Sequence, residues 1–554
     1  MEFKQQYAAY QQAIEEYLNG IFTADKPYGR LQEAMRYSIL GGGKRIRPVL
    51  ALEFARLAGL ALGVLVAASA QAAPGALPAL KLDLGQTTVS GISSGAFMAV
   101  QMGVAHSASV RGVAATAGGP YFCALDDSLG GAAVSRAIGR CMQGDPDYRA
   151  QAIDGRQLAR MVAATRGWGA KGDIDPPEGL ARQSVWIFHG YNDGVVKKPV
   201  SDALRDWYKA FTPAGQIFYK DQLNAGHAQV SAACADSPGG SCNVCAQTGG
   251  RFINACPEPG QPGALYDAAG AALQMFYGPL ERTATAALGG RLEPFDQAPF
   301  TRKRSGSPVA PAKIAMGDTG YVYVPAACRN GATCRLHIAF HGCQQDAGTL
   351  GTRFATTAGF NEWADAGRLV VLYPQARSTL LNPVNPMGCW DWWGYNDFLF
   401  DRSAGTYARK SGVQVAAVWR MAEWLAGGGG RLAAEAGPAP VLRVVDRSAN
   451  QVALAWTPVT GATGYIVERA EAGGEAQPRA RVDGGRVSWV DDGLRAESHY
   501  RYTLRPLAGS AEGAPSAPVE VHTAASPPAC DPYFSLARGV PVTRSGRPTQ
   551  ATCP

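Results

Sequence analysis

From Ala79 to about Gly427, short apolar runs such as Ser184-Val185-Trp186-Ile187-Phe188 and Leu369-Val370-Val371-Leu372-Tyr373 alternate with longer stretches of helical type. Strands buried on both faces by helices read this way, so the pattern predicts an α/β domain with a largely parallel sheet. After Pro440 the periodicity drops to two. Val452, Leu454 and Trp456 share one face, and Tyr465-Ile466-Val467-Glu468-Arg469 and Tyr500-Arg501-Tyr502-Thr503-Leu504 repeat the alternation. Such strands, with turn residues between them, predict a small β-sandwich. A Gly-, Ala- and Pro-rich break over 428–439 reads as the linker.

A chain of 554 residues suggests about two to four domains. Its 46% hydrophobic and 18% charged residues are those of a globular protein. The net charge of +7 is small for this length and the basic residues are scattered, which argues against nucleic acid as a partner. Twelve cysteines, at 123, 141, 234, 242, 245, 256, 328, 334, 343, 389, 530 and 553, point to disulfides and an oxidising compartment. Zinc is the competing reading for the Cys-x-x-Cys spacing at Cys242 and Cys245.

The apolar run Leu60 to Ala68, followed by Ala70-Gln71-Ala72, has the h-region and small-x-small pattern of a secretory signal over 60–72. It is shorter than the roughly 20 apolar residues of a membrane span, and no membrane association is expected. If this internal signal is used, the mature protein starts near Ala73 and is secreted and extracellular. Residues 1–59 have a different, amphipathic-helical character. Within them, Tyr37-Ser38-Ile39-Leu40-Gly41-Gly42-Gly43-Lys44-Arg45-Ile46-Arg47-Pro48 resembles the first helices of polyprenyl diphosphate synthases, where Lys44, Arg45 and Arg47 would meet a diphosphate. That family's aspartate-rich magnesium motifs have no counterpart here, since Asp126-Asp127 and Asp491-Asp492 are isolated pairs. The segment reads as a fused fragment or, if translation starts at Met35, as a long basic n-region.

Gly91-Ile92-Ser93-Ser94-Gly95 lies between a strand-like Thr87-Thr88-Val89-Ser90 and a helix-like Ala96 to Met102. In that context the glycines permit the sharp turn that lifts a nucleophilic serine out of a sheet. A serine needs a base, and the base an orienting acid, in the order Ser, Asp, His. Asp193 follows the strand ending at Phe188, and His227 lies in the loop Asn224-Ala225-Gly226-His227 after a strand at Gln216 to Tyr219. Asp173 and Asp175 compete with Asp193 but follow no strand. His189 competes with His227, but it ends a buried strand and reads as structural.

The oxyanion needs backbone donors. Ser94 supplies one. The other falls on Cys343, in the turn after the strand Leu336 to Phe340, far downstream of the serine. This order implies a circularly permuted α/β-hydrolase catalytic domain over 73–427. Several further motifs stand in order: Tyr321-Val322-Tyr323-Val324-Pro325, His341-Gly342-Cys343, and Asn385-Pro386-Met387-Gly388-Cys389-Trp390-Asp391-Trp392-Trp393-Gly394-Tyr395. With the pentapeptide and the His227 loop, they resemble extracellular short-chain-length polyhydroxyalkanoate depolymerases of the type whose oxyanion motif lies C-terminal to the lipase box.

The resemblance implies a nucleophile at Ser93, an acid at Asp193, a base at His227 and oxyanion amides at Ser94 and Cys343. It suggests a disulfide between Cys343 and Cys389. It also implies a fibronectin type III domain over 440–524, expected as a spacer, and a truncated substrate-binding-like tail over 525–554. That tail is too short to fold unaided, and a disulfide between Cys530 and Cys553 could help it. Trp390, Trp392, Trp393 and Tyr395 either pack in the core or line a groove for an apolar polyester. The chemistry implied is hydrolysis of poly(3-hydroxybutyrate)-type polyester at a granule surface, without metal or organic cofactor. A carboxylesterase for soluble esters and a non-catalytic polymer-binding protein are the alternatives, and residues 1–59 alone favour a prenyltransferase.

Overall fold

The computed structural model describes residues 74–526, apart from 125–130, 145–152, 237–241, 382, 398–404, 428–438, 472 and 509–510, together with the pairs 534–535 and 540–541. The diphosphate synthase-like stretch, the signal-like segment, almost all of the linker, Cys530 and Cys553 lie outside the described residues.

Eight strands form one sheet: β1 Thr87–Ile92, β2 Val110–Thr116, β3 Ser184–Phe188, β4 Ile217–Lys220, β5 Arg291–Asp296, β6 Thr319–Val324, β7 Arg335–Phe340 and β8 Leu369–Tyr373, in the order β4-β3-β2-β1-β7-β8-β6-β5. From β4 to β8 the neighbours run parallel; β6 and β5 are antiparallel additions at one edge. The central strands β1, β3 and β8 are buried throughout, which is why their sequences read as unbroken apolar runs. β5 is exposed or half-buried everywhere but Phe295 and carries Pro294, a residue tolerated in a sheet at an edge.

The nucleophile strand and the oxyanion strand are therefore neighbours, with Thr88 opposite His337 and Gly91 opposite Phe340. His337 is wholly buried. Its ring nitrogens meet Thr88 Oγ1 and Ser90 Oγ, each at 2.7 Å, which ties two positions of β1 to one of β7. Tyr277 OH lies 2.7 Å from Thr88 Oγ1 and 3.1 Å from the Leu336 carbonyl.

The sandwich has one sheet of β9 Leu442–Arg447, β10 Val452–Trp456 and β13 Ser488–Asp491. The other contains β11 Gly464–Glu471, β12 Gln477–Asp483, β14 His499–Ala508 and β15 Val519–His522. Trp456, Tyr465 and Tyr502 fill its core. The sandwich is docked on the α/β unit. Ala453 and Val490 join Trp186, Phe188 and Phe276 in one apolar cluster. β4, an edge strand by order, is buried at all four positions. The Gln451 amide completes its free backbone edge, accepting from the Tyr219 N–H at 2.8 Å and donating to the Ile217 carbonyl at 3.3 Å.

Two buried imidazoles make stability depend on pH. Burial pushes His337 down to about 3, and likewise His106, which stacks on Trp419 at 4.0 Å. In the unfolded chain both titrate near about 6.5. Between those values the unfolded chain binds more protons than the folded one, so stability is lost as pH falls, by about 1.4 kcal/mol per pH unit for each ring. The melting temperature is expected to fall steadily from pH 6.5 towards pH 4 (roughly the window between the two titrations). His337→Gln should flatten that slope whatever it does to the absolute melting point; an unchanged slope would contradict the assignment.

Candidate active site

Ser93 follows β1 at φ 56° and ψ −125°, and helix α1, Ser94–Ala105, begins immediately after it. A non-glycine residue in such a region costs about 1–3 kcal/mol, and the surroundings hold it there. The Ser93 N–H donates to the Thr116 carbonyl at 3.0 Å. The flanking glycines are required by space. A Cβ on Gly91 would lie 2.1 Å from the Gly95 carbonyl oxygen, and one on Gly95 would lie 2.3 Å from that of Phe340. The first turn of α1 is thus pressed against the end of β7.

Asp193 and His227 come together from two loops. Asp193 Oδ2 accepts from His227 Nδ1 at 2.7 Å, and Oδ1 accepts from the Val195 and Val196 N–H groups at 2.8 and 3.0 Å. Burial alone would raise the Asp193 pKa, but His227, His189 and the Val195 N–H hold the carboxyl below its usual value. With Nδ1 donating, Nε2 of His227 is left as the basic nitrogen. The base loop is strapped at several points. Gly226 N–H donates to the Cys245 carbonyl at 2.8 Å, His227 N–H to Thr248 Oγ1 at 2.9 Å, and Asn192 Nδ2 to the Ala246 carbonyl at 2.9 Å. His189 Nε2 instead donates to the Val196 carbonyl at 2.9 Å and shapes the acid loop. Asp173 pairs with Arg409 and Asp175 with Lys410.

The ten described cysteines form five disulfides. Cys242 bonds Cys234 and Cys245 bonds Cys256, so the zinc alternative for the Cys-x-x-Cys pair is replaced by two cross-links beside the base loop. Cys343 bonds Cys389, joining the turn after β7 to the tryptophan segment.

Two residues in that turn had no role assigned from sequence. His341 is fully buried; its Nδ1 donates to the Gly342 carbonyl at 2.8 Å and its Nε2 accepts from the Ala376 N–H at 3.1 Å. These bonds fix the neutral tautomer, and burial lowers its pKa. Because the peptide is trans, fixing the Gly342 carbonyl turns the Cys343 N–H to the opposite side. Gln345 Oε1 accepts from the Gly342 N–H at 3.2 Å. The only sequence signal was the His-Gly turn itself.

Of the aromatic cluster, Trp390 has no exposed surface and packs edge-on against Phe340, and Trp392 stacks on Phe97 at 4.1 Å. Both are core residues. Trp393 and Tyr395 are half-buried, 5.0 Å apart between ring centroids. The Trp390 backbone N–H donates to Ser94 Oγ at 3.3 Å, so this segment touches the residue after the nucleophile.

No family model matches the chain. A poly(3-hydroxybutyrate) depolymerase of Delftia acidovorans is 37% identical over 473 residues, which are 84% of this chain and 84% of that protein. The chain belongs to the poly(3-hydroxybutyrate) depolymerase family. A polyhydroxybutyrate depolymerase of Talaromyces funiculosus is 32% identical over 361 residues, 63% of this chain and 92% of its own. Among solved structures, a PHB depolymerase complexed with an R3HB trimer matches with a TM-score of 0.52 and 28% identity, over 64% of this chain and all of that one. The PHB depolymerase from Penicillium funiculosum matches at 0.51 and 29%, with the same coverage.

Among the described residues of this depolymerase-family chain, no cluster of His, Cys, Asp and Glu could hold a metal ion, and no helix is long and apolar enough to cross a membrane. The glycine geometry gives a direct test. Gly95→Ala should destabilise the protein by about 3 kcal/mol. Gly75→Ala, where an added Cβ meets nothing within 4 Å, should leave the melting temperature almost unchanged. Equal melting points for the two variants would refute the packing argument.

Proposed function

We propose that this chain is a serine esterase that hydrolyses poly(3-hydroxybutyrate)-type polyesters through an acyl-enzyme, releasing hydroxy-acid monomers and oligomers. The observation that carries the reading is the 2.7 Å hydrogen bond between buried Asp193 and His227, in a chain whose only Gly-x-Ser-x-Gly pentapeptide sits at a strained strand-to-helix turn. Membership of the depolymerase family, and a relative solved with an R3HB trimer, support the substrate.

In this mechanism Ser93 Oγ attacks the ester carbonyl carbon as His227 Nε2 takes its proton. The N–H groups of Ser94 and Cys343 stabilise the oxyanion. The C–O bond to the leaving hydroxyl breaks and His227 returns the proton to it. Water, deprotonated by His227, then releases the acyl group and regenerates Ser93. Asp193 fixes the tautomer and stabilises the imidazolium. His341 holds the peptide that presents the Cys343 amide. Trp393 and Tyr395 flank the polyester, with Trp390 and Trp392 supporting them from the core.

The strand order β5-β6-β8-β7-β1-β2-β3-β4 matches an α/β-hydrolase sheet cut and rejoined so that the serine strand comes first in sequence, and we read it as a circular permutation. On this reading 73–427 is the catalytic domain, 428–439 the linker, 440–524 a fibronectin type III domain and 525–554 a substrate-binding-like tail. The disulfides support an extracellular enzyme exported through the 60–72 signal segment. Residues 1–59 remain a diphosphate synthase-like fragment without a part in this chemistry.

Ser93→Ala should remain folded and lose about four to six powers of ten in kcat. The measurement is release of 3-hydroxybutyrate from polymer granules alongside hydrolysis of a soluble ester. Retained granule hydrolysis would overturn the nucleophile, while soluble-ester activity without granule hydrolysis would favour the carboxylesterase.

A further inference from the structure

The two halves of the site stand on different supports. Ser93, Ser94 and Cys343 leave the paired strands β1 and β7 at the middle of the sheet. The base loop follows β4, near the sheet's edge, and the acid loop, which leaves the adjacent strand β3, leans on the segment after β4. The His189 N–H donates to the Lys220 carbonyl at 2.9 Å and the Tyr191 N–H to the Leu223 carbonyl at 3.0 Å, so the loop carrying Asp193 rests on Lys220 to Leu223. The same segment runs directly into Asn224 to His227. Whatever fixes Lys220 fixes both loops.

What fixes it is the sandwich. Lys220 and Asp446 are both buried, and Lys220 Nζ lies 3.0 Å from Asp446 Oδ1. Nζ also donates to the Arg447 carbonyl at 2.8 Å and sits 4.3 Å from the centre of the Tyr266 ring. Asp446 Oδ2 accepts from Trp186 Nε1 at 3.0 Å and from Tyr266 OH. A register shift between Val444 and Asp446 marks a bulge in β9, a device that re-aims a side chain. The contact is broad: Gln451 completes the β4 backbone edge, and Trp489 lies where a Cβ on Gly215 would meet its Nε1 at 2.3 Å.

We propose that Asp446 is a positioning residue for the hydrolytic reaction: through Lys220, the sandwich fixes the strand end that leads to the base and braces the loop of the acid, and so forms part of the catalytic unit. The proposal rests on the assignment of Asp193 and His227 as acid and base. A buried ion pair that loses one partner leaves an uncompensated charge, whereas replacing both partners by apolar groups relieves it. Displacing a catalytic group by about 1 Å costs roughly a hundredfold in rate.

The test uses the full chain and a soluble 3-hydroxybutyrate ester, so that adsorption to polymer plays no part. Asp446→Leu is expected to lower kcat by about ten- to a hundredfold with KM unchanged, at a temperature where the variant is fully folded. Combining it with Lys220→Met should restore most of kcat. Unchanged kcat in folded Asp446→Leu, or a double variant as slow as the single one, would overturn the proposal. Should Asp446→Leu fail to fold, calorimetry of the wild-type protein decides: one transition for sandwich and α/β unit together is expected, and two separate transitions would overturn it. A wild-type chain that does not hydrolyse the ester would count instead against the esterase reading.

Discussion

Parallel pairing of β1 with β7 is the constraint on which the nucleophile half of this molecule depends. Gly91 stands opposite Phe340, so Ser93 and the Gly342-Cys343 turn leave the sheet side by side. In a parallel sheet a slip of one residue would turn every side chain to the other face. Here two features forbid it. His337 spans Thr88 and Ser90 with both ring nitrogens, and a fully buried ring can do this only while neutral. The helix start at Gly95 sits so close to the Phe340 carbonyl that no side chain fits between them. Hydrogen bonding sets the register and close packing locks the strain of Ser93 onto it.

The acid–base half is held by other means. Loops contribute no ladder of hydrogen bonds, so Asp193 and His227 are placed by a web of single contacts. Backbone N–H groups hold one carboxylate oxygen, the Thr248 hydroxyl holds the His227 amide, and the Cys245–Cys256 cross-link stands behind the loop that receives Gly226. Cross-links suit such segments because they limit the unfolded ensemble without requiring regular structure. The Cys343–Cys389 bond serves the oxyanion turn in the same way.

What could be read from sequence was what depends on neighbours along the chain. The strand, turn and helix around Ser93, the aspartate just past the strand end at Phe188, and the histidine after β4 are local patterns, and the structure places them at one end of one sheet with Asp193 bonded to His227. Cysteine pairing is non-local, and of the five described disulfides only Cys343 with Cys389 was anticipated, from resemblance. His337 carried no signal and His341 only that of its His-Gly turn, since nothing along the chain distinguishes a buried imidazole with two partners from any other. The tryptophans divided for the same reason. Spacing shows that Trp390, Trp392 and Trp393 are close, while burial depends on Phe340 and Phe97, which lie far back along the chain.

The docking of the sandwich was hidden for a reason particular to β4. An edge strand is normally guarded by charge, and a lysine at its end reads as such a guard. Ile217-Phe218-Tyr219 is nevertheless apolar on both faces, which an uncovered edge does not tolerate. The two facts agree only if something covers the strand and neutralises the lysine, and β9 and β10 do both, with Asp446 meeting Lys220 and Gln451 completing the backbone. Each sequence therefore presupposes the other. Without the sandwich, β4 would present unpaired N–H and carbonyl groups beside an apolar face. Without β4, Asp446 would be a buried carboxylate lacking its cation. The period-two alternation of β10, β11 and β14 identifies a sandwich, but its Asp446 and Gln451 acquire meaning only across the interface.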